Sequence, residues 1–358
     1  MPAVPRYLLL PAPAANRVYA EAAASMVRAE LTVLSRGALA GRVGPVETAT
    51  VAGVEYLAFE ADALTERDLG FLGLASAFYA LFEADGELLR PVAVPSPEKY
   101  PSDLLTILKY QGKTNEQFTR LVLNVTAAST VRPDGVLDGT LRVLGPVCGR
   151  GTTLSQAVMY GLDTVGIDID TKDIELYSSF FTTWLKDHRF KHAAATTPVR
   201  REKSVIAKKY EAAFAAEKAD YLAGQKQTLT CYAADTLLTS QLVKPGTVDV
   251  VVGDLPYGVQ HGSHGSNGER LARSPLRLLD RALPGWHDAL RTGGTIGLAY
   301  NRHVAGPEAM AEALEAHGFT VVHGHGVDGP TQGHVAADAF RHRVDASIDR
   351  DIVVARKG

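Results

Sequence analysis

The sequence predicts an α/β protein built on a doubly wound, largely parallel β-sheet. In residues 143–170 an apolar strand, a glycine-rich turn, a helical run and a second apolar strand follow one another. From residue 140 onward, apolar strands keep alternating with helical runs as far as the carboxyl end of the sequence. Such alternation is typical of a parallel sheet with helices on both faces, and it is compatible with an antiparallel strand at one edge.

Three glycines crowd the turn after the first of these strands, at Gly145, Gly149 and Gly151. Glycine lets the backbone approach a ligand closely, and a helical run over residues 152–160 follows at once. The second strand ends on Asp168, about 20 residues beyond the glycines, where a carboxylate suits the two hydroxyls of a ribose. The pattern predicts a nucleoside-binding crevice, although a tight turn without a ligand would look the same in isolation.

A second motif follows a run of four valines and one aspartate at residues 248–252. The strand leads through Gly253 into Asp254-Leu255-Pro256-Tyr257. An acid, a proline and an aromatic residue at the carboxyl end of a strand lie where open α/β sheets bind their ligands. Asp235 follows the strand at residues 228–233, so another carboxylate is expected near the same crevice.

Composition narrows the class of protein. Of 358 residues, 46% are hydrophobic and 22% are charged, as in an ordinary globular protein. There is no run of about 18 apolar residues, so no membrane span is expected. Two cysteines are too few for a disulfide framework or a zinc site, and the scattered histidines predict no metal centre. We therefore expect a cytoplasmic protein, whose oligomeric state the sequence leaves open.

The chain is predicted to hold two domains. Residues 1–95 read as a small α+β unit, and residues 96–358 as the larger α/β domain, joined by a proline-rich stretch at 95–102. Residues 186–228 contain the most basic region of the chain and are predicted to form a helical insertion. That insertion is either a solvated surface or a contact surface for a polynucleotide. The net charge of −3 argues mildly against a large nucleic-acid footprint.

Other elements follow from apolar periodicity and turn residues. Residues 112–115 are interpreted as a ligand-contacting loop that feeds a helix, which Thr114 or Asn115 could cap. The Gly-, His- and Ser-rich residues 259–273 are a candidate lid or substrate loop. The remaining predictions are strands at 6–10, 295–300, 319–325 and 351–355, and helices at 16–34, 118–125, 174–185, 275–290 and 305–317.

Taken in order, these motifs resemble the S-adenosylmethionine-dependent amino-methyltransferases. The most similar group is the THUMP-associated tRNA guanosine-N2 methyltransferases, whose pattern is a D-P-x-C-G-x-G-T turn, an acid, an Asp and a D/N-P-P-Y/F turn. This chain has GPVCGRGT at residues 145–152, Asp168, Asp235 and DLPYG at residues 254–258. The resemblance covers residues 100–358, and the amino-terminal unit is not clearly a THUMP domain.

The resemblance implies a Rossmann-like class I methyltransferase sheet, with S-adenosylmethionine as cofactor and a nucleic acid, tRNA first, as substrate. Its implied catalytic residues are Asp254, Leu255, Pro256 and Tyr257. Its implied cofactor-binding residues are Thr114, Asn115, Pro146, Cys148, Gly149, Gly151, Thr152, Asp168, Asp235 and Asp254.

This chain departs from the family at two positions. Gly145 replaces the first Asp, which removes a carboxylate, so that residues 113–116 could carry more of the cofactor binding. Leu255 replaces a Pro whose backbone carbonyl the family uses, and Leu keeps that carbonyl. Three alternatives stay open: a DNA N6-adenine or N4-cytosine methyltransferase, a small-molecule or peptide N-methyltransferase, and a binding module that has lost catalysis.

Overall fold

Helices and strands alternate along the chain in the computed structural model, which describes residues 4–13, 17–110, 113–256, 275–324, 335–336 and 338–358. The strands are β1 (Arg6–Pro11), β2 (Glu47–Val51), β3 (Val54–Glu60), β4 (Phe78–Asp85), β5 (Leu88–Val92), β6 (Arg142–Gly145), β7 (Asp163–Asp168), β8 (Lys191–Arg201), β9 (Ser204–Ala215), β10 (Gln227–Ala233), β11 (Val248–Asp254), β12 (Leu290–Asn301), β13 (Phe319–Gly324), β14 (Val335–Ala336), β15 (His342–Arg343) and β16 (Asp349–Lys357). The α-helices are α1 (Arg17–Arg36), α2 (Glu66–Leu74), α3 (Asp103–Thr106), α4 (Glu116–Ala128), α5 (Gly135–Asp138), α6 (Thr152–Met159), α7 (Thr171–Asp187), α8 (Lys218–Leu222), α9 (Thr239–Leu242), α10 (Pro275–Ala289) and α11 (Pro307–Glu315).

The larger sheet is mixed, and its centre has the predicted doubly wound, parallel order. Its central strands run β10-β7-β6-β11-β12-β16-β13, and the first five of them are parallel to one another. β16 is antiparallel to both of its neighbours, β12 and β13. The strand order reverses between β6 and β11, which is where open α/β sheets form a ligand crevice. The predicted Rossmann-like sheet is therefore confirmed.

The amino-terminal strands form a second, smaller sheet in the order β2-β3-β1-β4-β5, antiparallel throughout. The predicted small α+β unit is thus present, with α1 and α2 on one face of the sheet. That face is apolar because alternate residues of β1, Tyr7 and Leu9, point into the core with Phe59 of β3. Where one domain ends and the next begins, placed at residue 95 from the sequence, stays a prediction.

One buried cluster joins the two sheets. It runs from the inner face of the small sheet through Met26 and Leu34 of α1 to Leu121 of α4. On the other side of α4 it continues into the larger sheet at Val250 and Val354. The opposite face of the larger sheet is covered by α10 and α11. Among the described helices, none is both long and apolar enough to span a membrane.

Residues 186–228 form mainly a β-hairpin, so the predicted helical insertion was wrong. β8 pairs antiparallel with β9, and β9 pairs antiparallel with β10, which extends the larger sheet beyond its parallel strands. Tyr210 and Phe214 of β9 are buried on one face, with the period of two that a strand requires. Pro198 would break a helix, but it is tolerated in β8 because β8 is the outer edge strand.

A buried carboxylate lies between the amino-terminal unit and the larger domain. Glu30 of α1 accepts hydrogen bonds from the Ser76 backbone N (2.9 Å) and Oγ (2.6 Å), and from Asn124 Nδ2 of α4 (2.7 Å). The Tyr160 hydroxyl donates to Asn124 Oδ1 at 3.0 Å. Burial raises the pKa of Glu30, and the hydrogen bonds from Ser76 and Asn124 offset part of that rise.

Replacing Glu30 should weaken the whole fold. Glu30→Ala leaves the Ser76 donors and one N–H group of Asn124 without an acceptor in the interior, which we expect to lower the free energy of unfolding by about 2–4 kcal/mol. Glu30→Gln keeps one acceptor oxygen and should lose less. Chemical denaturation of the three proteins measures the difference, and equal stability of Glu30→Ala and the wild type would contradict the role of this network.

The pH dependence of stability has a defined sign at this position. Because the folded pKa of Glu30 is raised above its ordinary value of 4.5, its contribution to stability is full below pH 4.5 and is lost as pH rises through the folded pKa. Glu30→Gln should remove that part of the decline. The measurement is the unfolding free energy of both proteins from pH 4 upward, and parallel curves would contradict the assignment.

Candidate active site

The glycine turn connects β6 to α6 at the carboxyl edge of the sheet. Gly149 and Gly151 have φ angles of +47° and +76°, in the left-handed region that favours glycine. A Cβ atom on Gly151 would lie 2.5 Å from the ring of Tyr177, so a larger residue does not fit there. The Cys148 amide donates to the Ile167 carbonyl at 3.0 Å and ties the turn to β7.

Gly145 and Gly166 face each other on β6 and β7, directly beneath α6. A Cβ atom on Gly145 would lie 3.1 Å from Leu154 Cδ2 and 3.2 Å from Cys148 Cβ. A Cβ atom on Gly166 would meet the same two side chains, at 2.5 Å from Leu154 and 2.9 Å from Cys148 Sγ. The space that a side chain at position 145 would need is therefore filled by the packing of α6 and the turn.

The carboxylate of Asp168 stabilises the turn. Its Oδ2 accepts from the Gly149 amide at 2.6 Å, and its Oδ1 accepts from the Asp170 amide at 2.9 Å. Burial raises the pKa of Asp168, the two amides lower it, and the nearby carboxylates of Asp173 and Asp170 raise it further. Burial also raises the pKa of the Cys148 thiol, with Asp168 adding to the rise, so Cys148 is not suited to act as a thiolate.

Asp254 ends β11, the strand beside β6. The Thr114 hydroxyl donates to Asp254 Oδ2 at 2.6 Å, across 140 positions of sequence. Leu255 follows with its amide bonded to the Ala299 carbonyl at 2.9 Å and its side chain buried in the core. Pro256 is half-buried. Tyr257 and the candidate lid at 259–273 lie outside the described residues.

The glycine turn and Asp254 both line one cavity of about 410 Å³, a volume within the range of small-molecule sites. We call it the main cavity. Five of the predicted site residues line it: Thr114, Cys148, Gly149, Thr152 and Asp254. The described residues that do not line it are Asn115, Pro146, Gly151, Asp168, Asp235, Leu255 and Pro256.

Two of the residues outside the cavity wall cap helices. Asn115 Oδ1 accepts from the Phe118 amide at 3.0 Å and begins α4, as its position in the sequence suggested. Asp235 Oδ1 accepts from the Leu237 amide at 3.0 Å and begins a short 3-10 helix. Asp235 nevertheless follows Ala233, which pairs in register with Asp168, so both acids lie at the same edge of the sheet. Their roles toward a cofactor stay predictions.

Several wall residues were missed from the sequence. Tyr110 bonds Thr152 Oγ1 through its hydroxyl at 2.7 Å, and the guanidinium of Arg150 lies 4.9 Å from the centre of the Tyr110 ring. Arg150 Nε donates to Asp173 Oδ1 at 2.7 Å, and Asp170 begins α7 as its N-cap. Arg150 lies inside the glycine motif and Tyr110 beside the 112–115 loop, so proximity to those motifs was the available signal.

Phe118 supplies an apolar part of the same wall and is fully buried. The His342 ring lies 4.9 Å from it, and the Arg350 guanidinium lies 4.7 Å from its ring centre. Burial lowers the pKa of His342 to about 4, so this imidazole is uncharged at neutral pH.

The charged residues of the main cavity are mostly acidic. Among the residues that the structure describes, Asp170, Asp173 and Asp254 line it together with one cationic residue, Arg150. A cavity with this balance favours a ligand that carries positive charge. In the described part of the chain, no group of three His, Cys, Asp or Glu side chains could hold a metal ion.

No protein-family model and no curated protein sequence matches this chain. Solved structures with a similar backbone include TrmN from Thermus thermophilus, at 16% identity and a TM-score of 0.37, with 87% of this chain and 59% of that one aligned. This chain thus spans about three fifths of the length of that protein.

Two further structures are similar at the same level. A TehB-like SAM-dependent methyltransferase from Corynebacterium glutamicum has 14% identity and a TM-score of 0.34, over 62% of this chain and 85% of that one. The 1,6-didemethyltoxoflavin-N1-methyltransferase of Burkholderia thailandensis has 15% identity and a TM-score of 0.32, over 66% and 78%. Likeness of this size carries no argument about activity, and the fold assignment rests on strand order and direction.

Introducing a carboxylate at position 145 should destabilise the protein. Gly145→Asp forces a buried side chain against Leu154 and Cys148, which we expect to lower the free energy of unfolding by at least about 2 kcal/mol. Gly306→Asp is the matched control, because a Cβ atom there meets nothing within 4 Å and Gly306 precedes α11 as its N-cap. Thermal denaturation of both variants measures the effect, and equal melting temperatures would contradict the packing argument.

Proposed function

We propose that this protein is an S-adenosylmethionine-dependent N-methyltransferase that acts on an exocyclic amine of a nucleobase, with guanosine N2 in tRNA as the first choice. One observation carries the proposal. The glycine turn after β6 and the Asp254 carboxylate at the end of β11 line one cavity at the point where the strand order reverses. A cofactor and an amine bound there would meet at the carboxyl edge of two neighbouring strands.

The residues present fit this cofactor. Gly149 allows close backbone approach, and a carboxylate at the end of β7, Asp168, suits ribose hydroxyls. Asp235 would accept from the adenine amino group, and Thr152, Cys148, Pro146 and Gly151 shape the turn. The acidic wall suits a ligand with a sulfonium and an ammonium group. When bound, S-adenosylmethionine supplies a methyl group that is already activated for transfer.

Asp254 and Leu255 are assigned to the substrate amine. A ring-conjugated amine is a poor nucleophile because its lone pair is delocalised. The Asp254 carboxylate and the Leu255 carbonyl would accept its two N–H groups and so localise electron density on nitrogen. Thr114 fixes the carboxylate by donating to Oδ2, and Pro256 fixes the turn. Tyr257 is assigned to stack on the flat base. Positioning of this kind accounts for much of the rate in a one-step transfer.

A polynucleotide substrate is favoured by the basic hairpin at residues 191–215, which adjoins the parallel strands of the same sheet. DNA, small molecules and peptides are the alternative substrates, and a methyl-transfer assay on each class distinguishes them from RNA. A binding module without catalysis would transfer no methyl group in that assay.

Removing the Asp254 carboxylate should slow methyl transfer much more than it weakens binding of the cofactor. We expect Asp254→Ala to lower the rate of labelled methyl transfer at least about 100-fold, the usual cost of removing one preorganised polar group from an active site. Undermodified bulk tRNA, unmethylated DNA and a small-molecule extract are tested side by side, with calorimetry of S-adenosylmethionine binding on the same proteins.

Asp280→Ala is the matched control, since Asp280 lies on α10 with a side chain that is 78% exposed. Label in tRNA that depends on Asp254 but not on Asp280 supports the proposal. Label in DNA alone or in the extract alone would show that the substrate is not tRNA and would assign the activity to that other class. Cofactor binding without transfer to any substrate would favour the non-catalytic alternative.

A further inference from the structure

A second cavity, of about 450 Å³, lies between α7 and the β8–β9 hairpin, and we call it the hairpin cleft. It is lined by seven residues of α7 and four of the strands that face it. The α7 residues are Ile174, Glu175, Ser178, Ser179, Thr182, Thr183 and Lys186, and the strand residues are Thr196, Lys208, Tyr210 and Ala233. The cleft shares none of its lining residues with the main cavity.

The polar lining is unusual for a contact between a helix and a sheet. Farther along the same two elements, Phe181 of α7 packs on Phe214 of β9 with ring centres 5.2 Å apart. Toward the hairpin turn, from Tyr210 to Lys208, the facing side chains become hydroxyls and ammonium groups. If the helix and the sheet only packed against each other here, apolar side chains would be expected along the whole contact. Hydroxyl and ammonium donors are instead what a ligand with oxygen acceptors requires.

One donor in the cleft lacks a partner. Ser178 is 8% exposed, and within the described residues its Oγ has no hydrogen-bond partner. Its neighbours are satisfied without it, because the Thr182 hydroxyl donates to the Ser178 carbonyl at 2.8 Å and lies 2.8 Å from the Tyr210 hydroxyl. Burying an unpaired hydroxyl costs free energy, and an acceptor brought by a ligand would recover it.

Two lysines give the cleft its charge. Lys186 lines it from α7 and Lys208 from β9. Lys208 Nζ lies 3.1 Å from Glu175 Oε1, and both side chains are more than half exposed, at 58% and 59%. An ion pair so exposed to solvent is weak, so an anion can displace the Glu175 carboxylate.

Positively charged residues of the hairpin also lie at the carboxyl edge of the sheet, where the main cavity is. Lys208 pairs in register with Ala233, the last residue of β10, so the hairpin residues between Val199 and Ala207 extend past the carboxyl ends of the parallel strands. That extension includes the cationic Arg200, Arg201 and Lys203. On α7, Asp173 lines the main cavity and the next residue, Ile174, lines the cleft. The two cavities therefore flank the first turns of α7.

We propose that the hairpin cleft binds backbone phosphates of the polynucleotide whose base enters the main cavity. The proposal rests on the proposed function and names the surface that holds its substrate. Lysine ammonium groups and Ser and Thr hydroxyls are the side chains that proteins use against phosphate oxygens. The cationic residues beyond the cleft favour a chain of phosphates over a single phosphorylated small molecule, because their charge continues outside the cavity.

Three variants test the cleft, with fluorescently labelled, undermodified bulk tRNA as the probe. Lys186→Gln/Lys208→Gln should weaken binding about tenfold for each lysine and reduce the slope of log affinity against log salt by about one for each. Arg28→Gln/Lys244→Gln is the matched control, because it removes two exposed cations outside the cleft. Ser178→Ala should weaken binding about fivefold while leaving the melting temperature unchanged or higher.

The same preparations are assayed for calorimetric S-adenosylmethionine binding and for methyl transfer. Equal losses of tRNA affinity in the lysine and control pairs, or full affinity in Ser178→Ala, would overturn the cleft assignment even if transfer to tRNA occurs. Loss of tRNA binding in the cleft variants alone, without transfer in any protein, would keep the cleft and overturn the proposed function. Displacement of tRNA by micromolar inorganic phosphate would assign the cleft to a small phosphate ligand instead.

Discussion

The close approach of α6 to the sheet is the constraint on which the candidate site depends. Gly145 and Gly166 have no side chains, and Leu154 and Cys148 pack directly on the backbone of β6 and β7 at these two positions. With the helix held there, the turn before it must pass through left-handed backbone at Gly149 and Gly151. The backbone of the turn is thereby exposed to the main cavity, and the Gly149 amide is bound to Asp168. Packing of one helix thus fixes the position of the groups that would meet a ligand.

This constraint also changes the interpretation of the missing family carboxylate. From the sequence, Gly145 looked like the loss of a cofactor contact that residues 113–116 could replace. In the structure, Lys113 is paired with Glu116 at 2.6 Å, and Thr114 is bonded to Asp254. Position 145 is a packing position in this chain, so its glycine is explained by the close contact with Leu154 and Cys148.

The parallel strands, the glycine turn and the acid after β11 were predictable because each leaves a local signature in the sequence. Apolar runs, glycines with positive φ and an N-cap such as Asn115 are all set by neighbours a few positions away. The wall residues Tyr110 and Arg150 were not predictable, since their contact depends on two loops 40 positions apart in sequence that meet only in the fold.

The β8–β9 hairpin was not predicted, and the reason is different. Its alanines and charged residues suit a helix, and a helical insertion was the prediction. What decides the outcome is the open edge of β10, which needs a hydrogen-bonding partner that β9 supplies, and the alternating burial of Tyr210 and Phe214 that follows. A preference for pairing with a distant strand cannot be read from the segment itself.

The buried Glu30 network has a consequence for how this chain gains and loses its structure. Ser76 and Asn124 come from elements on opposite sides of residue 95, and one carboxylate bonds both, within an apolar cluster that spans both sheets. Opening the amino-terminal strands would strip α4 of its cover and break the hydrogen bonds that Glu30 accepts. The two sheets are therefore expected to melt together, as a single cooperative unit, although the chain builds them from separate segments.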